Sequence, residues 1–139
     1  MRILGLDLGE RRVGAAVSDP EGKVAHPLAQ LEPTGRRDLV AQVARLVSEQ
    51  GVERVVVGLP VRLDGTLGKE ARRAEATVAA LRAVVGVPVA VWDERLSTRR
   101  ADRAMQEAGL SAGRRREKRD MVAATFILQA YLDAGAPLA

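Results

Sequence analysis

The chain has 139 residues, of which 47 % are hydrophobic, with a net charge of +4 and no cysteine. That length suits one domain spanning residues 1–139 with a real core, too short for two lobes, and the missing cysteine excludes disulfides, thiolate nucleophiles and zinc–thiolate sites. No segment reads as a membrane span or signal peptide, because the first apolar run is short and carries Asp7; the expectation is a cytoplasmic protein without membrane contact, whose modest basic excess leans toward polyanions.

The first third reads as three strands, Ile3 to Leu8, Arg12 to Ser18 and about Lys23 to Leu31, the last two joined by the turn Asp19-Pro20-Glu21-Gly22. Short connections imply an antiparallel meander. A helix from about Arg36 to Gln50 follows, with Leu39, Val43, Leu46 and Val47 at helical spacing and Gly51 as its stop. Glu53 to Gly58 is a β-branched run without alternation, the pattern of a strand covered on both faces. After the glycine-rich loop Gly58 to Gly68, a helix from about Lys69 to Val85 carries the stripe Ala71, Ala74, Val78, Leu81 and Val85. Val87 to Trp92 forms the fifth strand, a short helix spans about Thr98 to Ala108, and a long helix from about Glu117 to Ala134 closes the chain. The polar, small-residue segment Gly109 to Arg116 between those helices reads as a mobile loop. A meander followed by right-handed crossovers gives an α/β fold, a five-stranded mixed sheet flanked by helices, and this element order resembles that of ribonuclease H-like domains.

Three acids stand where a chain avoids them. Asp7 interrupts the apolar first strand, on the period-two face that also holds Gly5 and Gly9, so its neighbours leave room beside the carboxylate. Asp93 and Glu94 close the fifth strand, the edge at which open α/β sheets hold ligands; adjacent residues point opposite ways, so one of the two faces a site there. Asp120 heads the stripe Asp120, Ala124, Ile127, Tyr131 of the closing helix, a stripe that should face the core. A buried or half-buried carboxylate costs roughly several kcal/mol unless paired or ligating. Turn capping by Asp7, an ion pair of Glu94 with Arg95 and helix capping by Asp120 are the plainer alternatives. Oxygen donors from three elements at one sheet edge point instead to a divalent cation and phosphate chemistry.

Between Arg95 and Arg119 nine basic residues, among them Arg95, Arg99, Arg114, Arg115, Arg116, Lys118 and Arg119, face three acids. Such a rim beside a cleavage site suits phosphate-backbone contacts, although a charge run on its own is equally a solvated surface. In the loop after the fourth strand, Gly58, Pro60, Gly65 and Thr66 lead to a helix start whose amides can hold a phosphate; the structural alternative is a turn with Gly65 at positive φ. His26 is the only histidine and reads as packing or surface. Trp92, Phe126 and Tyr131, the only aromatic residues, all lie in core elements, which argues against base stacking as the mode of recognition.

Leu6-Asp7-Leu8-Gly9 with Arg12-Val13-Gly14, then Gly58-Leu59-Pro60 with Asp64-Gly65-Thr66 and Gly68, then Trp92 to Thr98, then Asp120 with Ala123-Ala124 and Ile127-Leu128-Gln129, together resemble the YqgF/RuvX family over essentially the whole chain. Four motifs in this order at these spacings are specific where each alone is weak. The resemblance implies a ribonuclease H-like nuclease of the resolvase superfamily, described both as a Holliday-junction resolvase and as the enzyme that matures the 5′ end of the small-subunit ribosomal RNA precursor. It maps Asp7, Glu94 and Asp120 onto an acidic site for Mg²⁺ or Mn²⁺. The expected function is metal-dependent phosphodiester hydrolysis by a monomer or weak homodimer, on precursor ribosomal RNA or, as the alternative, branched DNA. Two other classes stay open: a non-catalytic nucleic-acid-binding assembly factor, and an actin-like or sugar-kinase-like ATP binder, which the single-lobe length disfavours.

Overall fold

A computed structural model describes residues 1–62, 64–94 and 112–138, with side chains of the last segment described from Val122. Strands β1 (Ile3–Leu8), β2 (Val13–Ser18) and β3 (Ala25–Leu31) form the antiparallel meander, with Leu4 opposite Val17 and Val17 opposite His26. The turns between them are closed by local bonds. The Gly9 N–H donates to the Arg12 carbonyl at 2.9 Å, and the Asp19 carboxylate accepts the N–H groups of Val24 at 3.0 Å and Lys23 at 2.7 Å. Those two bonds, Val24 foremost, hold the Asp19 carboxyl below its ordinary range.

Helix α1 (Arg36–Gln50), strand β4 (Arg54–Leu59), helix α2 (Lys69–Val84), strand β5 (Val89–Asp93) and helix α3 (Ala112–Asp133) complete the described elements. The strands assemble in the order β3-β2-β1-β4-β5, with β1, β4 and β5 parallel. Parallel pairing follows from the crossovers through α1 and α2, each long enough to return the chain to the same edge.

Alternation along the strands divides the core in two. Leu4, Leu6, Val55, Val57 and Val89 pack with Leu39, Val43, Val78 and Leu81 of α1 and α2 on one face. Ile3, Ala16, Val56 and Ala90 meet Ala124, Leu128 and Tyr131 of α3 on the other. The unbroken valine run of β4 is thereby explained: Val55, Val56 and Val57 are all fully buried, on alternating faces. Ser18, the buried hydroxyl at the start edge of β1, accepts the Ile3 N–H at 2.8 Å and donates to the Asp19 carbonyl at 3.0 Å.

The direction of α3 decides what stands above each sheet edge. Arg54, which opens β4, donates from Nη1 to the Tyr131 hydroxyl at 3.2 Å and to the Ala136 carbonyl at 2.6 Å. Gln129 reaches the opening of β3, accepting the Ala25 N–H at 2.9 Å. The C-terminal half of α3 therefore lies over the amino ends of β1 and β4, and its N-terminal half lies toward their carboxyl ends.

Two expectations change. Residues 112–116 belong to α3 rather than to a loop; alanine, arginine, glutamate and lysine from Ala112 to Arg119 are strong helix formers, and one glycine does not outweigh them. Trp92 and Phe126 are only half-buried, Trp92 lying edge-on to Tyr131 with ring centroids 5.8 Å apart. His26 is exposed. The short helix expected over 98–108 lies outside the described residues.

Helix α3 rests directly on the backbone of β1: a Cβ on Gly5 would stand 2.8 Å from the Leu128 Cβ and 3.4 Å from the Ala124 carbonyl oxygen. Neither is the tip of a flexible side chain, so Gly5→Ala must lift the helix. The variant should lose about 1–3 kcal/mol, read as a lower urea midpoint. An unchanged midpoint would show that the helix is not seated on this glycine.

Candidate functional site

Register places the acids of β1 and β5 on one face. Ile3, Gly5 and Asp7 alternate toward α3, and Asp7 stands opposite Gly14 of β2, half-buried. Leu6 aligns with Val57, so one step further Asp7 is level with Gly58. On the other side of β4, Gly58 aligns with Trp92 and Leu59 with Asp93. The ladder runs one bond past β5, where the Glu94 N–H donates to the Leu59 carbonyl at 3.3 Å. Glu94 thus returns to the face of Trp92 and Gly58, while Asp93 takes the opposite face and is exposed.

Gly58 makes this arrangement possible. A Cβ there would lie 2.8 Å from Glu94 Oε2 and 2.6 Å from Ile127 Cδ1. The Glu94 carboxylate extends over the missing side chain, toward the strand that carries Asp7. In the sequence the fourth strand ends in Gly58 and not in an acid, so that a site at Asp7 depends on Glu94 reaching across. The available signal was the abrupt loss of side-chain volume after Val55-Val56-Val57, at the level of the first-strand acid.

Asp120 lies in α3, one turn before Ala124 and two before Ile127, on the half of the helix that points to the carboxyl ends of the strands. Ala124, Ile127 and Tyr131 of its stripe are fully buried, as expected. The side chains of residues 112–121 fall outside the described set, so of the three acids only Asp7 and Glu94 have described carboxylates. Among the described residues no three acidic or histidine side chains form a group that could hold a metal ion. Arg114, Arg115, Arg116, Lys118 and Arg119 occupy the opening turns of α3, whereas Arg95 and Arg99 lie outside the described residues.

The loop after β4 is a small closed hairpin. Val61 bridges Leu67, the Arg62 N–H donates to the Thr66 carbonyl at 3.0 Å, and Gly65 turns at φ 86°. The Asp64 carboxylate accepts the Thr66 hydroxyl at 2.6 Å and the Thr66 N–H at 2.9 Å, which lowers its pKa. Thr66 is therefore committed within the loop, and Gly65 serves the turn. Gly58 and Pro60 lie at its base, Gly58 against Glu94.

Residues 1–134 match the RuvX family, described as a Holliday junction resolvase. The chain belongs to the RuvX family. A protein of Syntrophomonas wolfei is 45 % identical over 135 residues, covering 97 % of this chain and 96 % of its own length. One from Moorella thermoacetica is 48 % identical over 136 residues, covering 96 % and 95 %. Both carry the provisional name pre-16S rRNA nuclease. Among solved structures, Thermus thermophilus RuvC bound to a Holliday junction superposes with a TM-score of 0.63 at 18 % identity, covering 99 % of this chain and 98 % of that one. The fowlpox virus resolvase with its junction gives 0.56 at 13 %, covering 99 % and 100 %. At those identities the likeness establishes the ribonuclease H-type fold. Family membership makes the chain a nuclease, an enzyme that hydrolyses phosphodiester bonds. No helix among the described residues is long and apolar enough to cross a membrane.

The space at Gly58 is testable. In Gly58→Ala the two atoms in conflict are side-chain tips that can swing aside, so stability should change by no more than about 1 kcal/mol. Swinging Glu94 away should nonetheless lower nuclease activity severalfold. Wild-type activity with a well-folded variant would show that the position of Glu94 over Gly58 is immaterial.

Proposed function

We propose that Asp7, Glu94 and Asp120 form the catalytic site of one nuclease domain spanning residues 1–139, and that its substrate is the precursor of 16S ribosomal RNA in the cytoplasm. The observation that carries the site is the placement of the Glu94 carboxylate over Gly58, level with Asp7, beneath the half of α3 that bears Asp120. The substrate rests on the names of relatives at 45–48 % identity over nearly the whole chain.

The donor set fits Mg²⁺ or Mn²⁺. All three residues offer hard carboxylate oxygens, and the missing side chain at Gly58 leaves the space into which the Glu94 carboxylate extends. When bound, the cation supplies Lewis-acid activation of water and charge neutralisation at the scissile phosphate. The chain's own residues do the rest. The strand ends fix Asp7 and Glu94 on one face, α3 brings Asp120 from above, and the burial of Ala124 and Ile127 keeps that helix from shifting. Arg114, Arg115, Arg116, Lys118 and Arg119 in α3, together with Arg95 and Arg99, hold the nucleic-acid backbone through its phosphates. A monomer or weak homodimer suffices, because maturing one RNA end needs one cut, whereas resolving a junction needs a symmetric pair.

Asp7→Asn should abolish cleavage and leave the fold intact. Removing one carboxylate relieves repulsion among the acids, so the metal-free variant should melt no lower than wild type. Full activity in this variant would sink the site. The substrate is tested by offering the purified protein with Mn²⁺ both a four-way DNA junction and a precursor fragment spanning the mature 5′ end of 16S ribosomal RNA. Cleavage at the mature end is expected; paired symmetric incisions in the junction with the RNA untouched would overturn the assignment.

Replacing Arg114, Arg115 and Arg116 with alanine should weaken binding uniformly across sequences and flatten its dependence on salt by up to about 0.7 log units per lost phosphate contact on a single strand. Helix α3 should persist, since alanine is the strongest helix former. An unchanged slope would mean that these arginines only solvate the helix.

A further inference from the structure

Behind the acidic face, where β1 ends, the fold leaves a second concavity that the catalytic reading does not use. It is a cleft of about 310 Å³ between the β1–β2 turn, the start of α1 and the first turns of α2. Leu8 and Gly9 form its inner wall, so it lies at the same strand end as Asp7 but on the face of α1 and α2.

Its chemistry is that of an anion site. Arg11 from the turn, Arg36 from α1 and Arg73 from α2 all line it. Glu10 and Glu70 line it as well, yet among the described residues none of these arginines has a carboxylate within ion-pair distance. The start of α1 also opens here. Gly35 is the N-cap and supplies no side-chain bond to the first-turn amides. Asp38, the one acid of that turn, accepts the Thr34 N–H at 2.9 Å and the Gln42 amide at 2.8 Å, the Thr34 bond being the main cause of its lowered pKa. The amides of Arg36, Arg37 and Asp38 therefore have no side-chain acceptor, and the Asp38 carboxylate offsets only part of the positive charge at this helix end.

An independent feature points to a ligand. Thr77, one of only two buried polar residues among those described, is 7 % exposed and lines the cleft. The other, Ser18, has its partners; the Thr77 hydroxyl has no hydrogen bond among the described residues. It stands on one stripe of α2 with Glu70, Arg73 and Ala74, the stripe that faces the cleft. Among the described residues Arg54 Nε is the one fully buried side-chain polar atom without a partner, so the Thr77 hydroxyl is open to the cleft and free to donate to an acceptor bound there.

We propose that this cleft binds a phosphate group, with Arg11, Arg36 and Arg73 neutralising its charge, the first-turn amides of α1 and the Thr77 hydroxyl donating to its oxygens. Its position at the end of β1 makes it a second hold on a nucleic-acid strand that passes over the acidic face, a role that rests on the nuclease reading. The cleft has room for one phosphate with its attached sugar and not for a base-paired helix.

The test follows the backbone amides of the ¹⁵N-labelled full-length protein by NMR, with inorganic phosphate in one arm and a single-stranded RNA oligonucleotide in the other. Wild type, Arg73→Ala and the near-isosteric Thr77→Val are compared, with melting temperatures confirming that both variants fold. Phosphate should shift the Arg36, Arg37 and Asp38 amides saturably, with affinity about tenfold lower in each variant. RNA should shift the same amides, and Arg73→Ala should reduce the salt slope of RNA binding by about 0.7. If phosphate alone shifts them, the site stands and its ligand is a free phosphate. If neither ligand shifts them, or both variants bind as wild type does, the cleft is no phosphate site, whatever the nuclease assays show. Phosphate binding here in a protein that cleaves no nucleic acid would overturn the nuclease reading and leave the cleft standing.

Discussion

The contact on which the rest of the site depends is the seating of α3 directly on the sheet backbone. Gly5 and Gly58 present no side chains to it, so Leu128 lies against β1 at a distance a methyl group would prohibit, and the tip of Ile127 reaches over β4. Close seating fixes the rotation of the helix, because Ala124, Ile127, Leu128 and Tyr131 are all fully buried beneath it. That rotation carries the stripe upward to Asp120, and the same vacancy at Gly58 is what the Glu94 carboxylate extends across. One steric requirement therefore serves both packing and chemistry. The carboxyl edge of the parallel strands, where the described acids stand, is the edge at which open α/β sheets hold ligands.

The sheet works as a partition. Its α1 and α2 face carries the larger apolar cluster and ends in the arginine-lined cleft; its α3 face carries the smaller cluster and ends in the acids. Both ends meet at the close of β1, where Asp7 faces one way and Leu8 the other. An arginine-bearing cleft and the described acids at one strand end, separated by the thickness of a sheet, suit a polyanion held on one side and cut on the other.

Much of this was legible in the sequence, for physical reasons. Strands announced themselves by β-branched runs, and the helices by stripes such as Ala71, Ala74, Val78 and Leu81, which the core demanded and the structure buries. Asp7 stood out because a charge inside an apolar strand needs a reason. The start of α3 was misjudged because small polar residues around Gly113 mimic a loop, while summed helix propensity outweighs one glycine. That Glu94 must reach across the glycine at the end of β4 could be read; that its carboxylate lies directly over Gly58 could not, since it depends on a side chain thirty-six positions later arriving there through parallel pairing. Nor could the cleft, whose walls come from three segments that only tertiary packing brings together. Thr77 reads in sequence as an ordinary helix residue; its burial beside Arg73 is what marks it.

The central claim, that three carboxylates from β1, the end of β5 and α3 converge on one divalent cation, is tested most directly by Mn²⁺ binding followed by electron paramagnetic resonance in wild type and in Asp7→Asn, Glu94→Gln and Asp120→Asn. Each single substitution should weaken the same site by more than the roughly 10–100-fold that loss of an outer-shell partner costs. Wild-type Mn²⁺ affinity in any one of the three variants would contradict the convergence and remove that residue from the site.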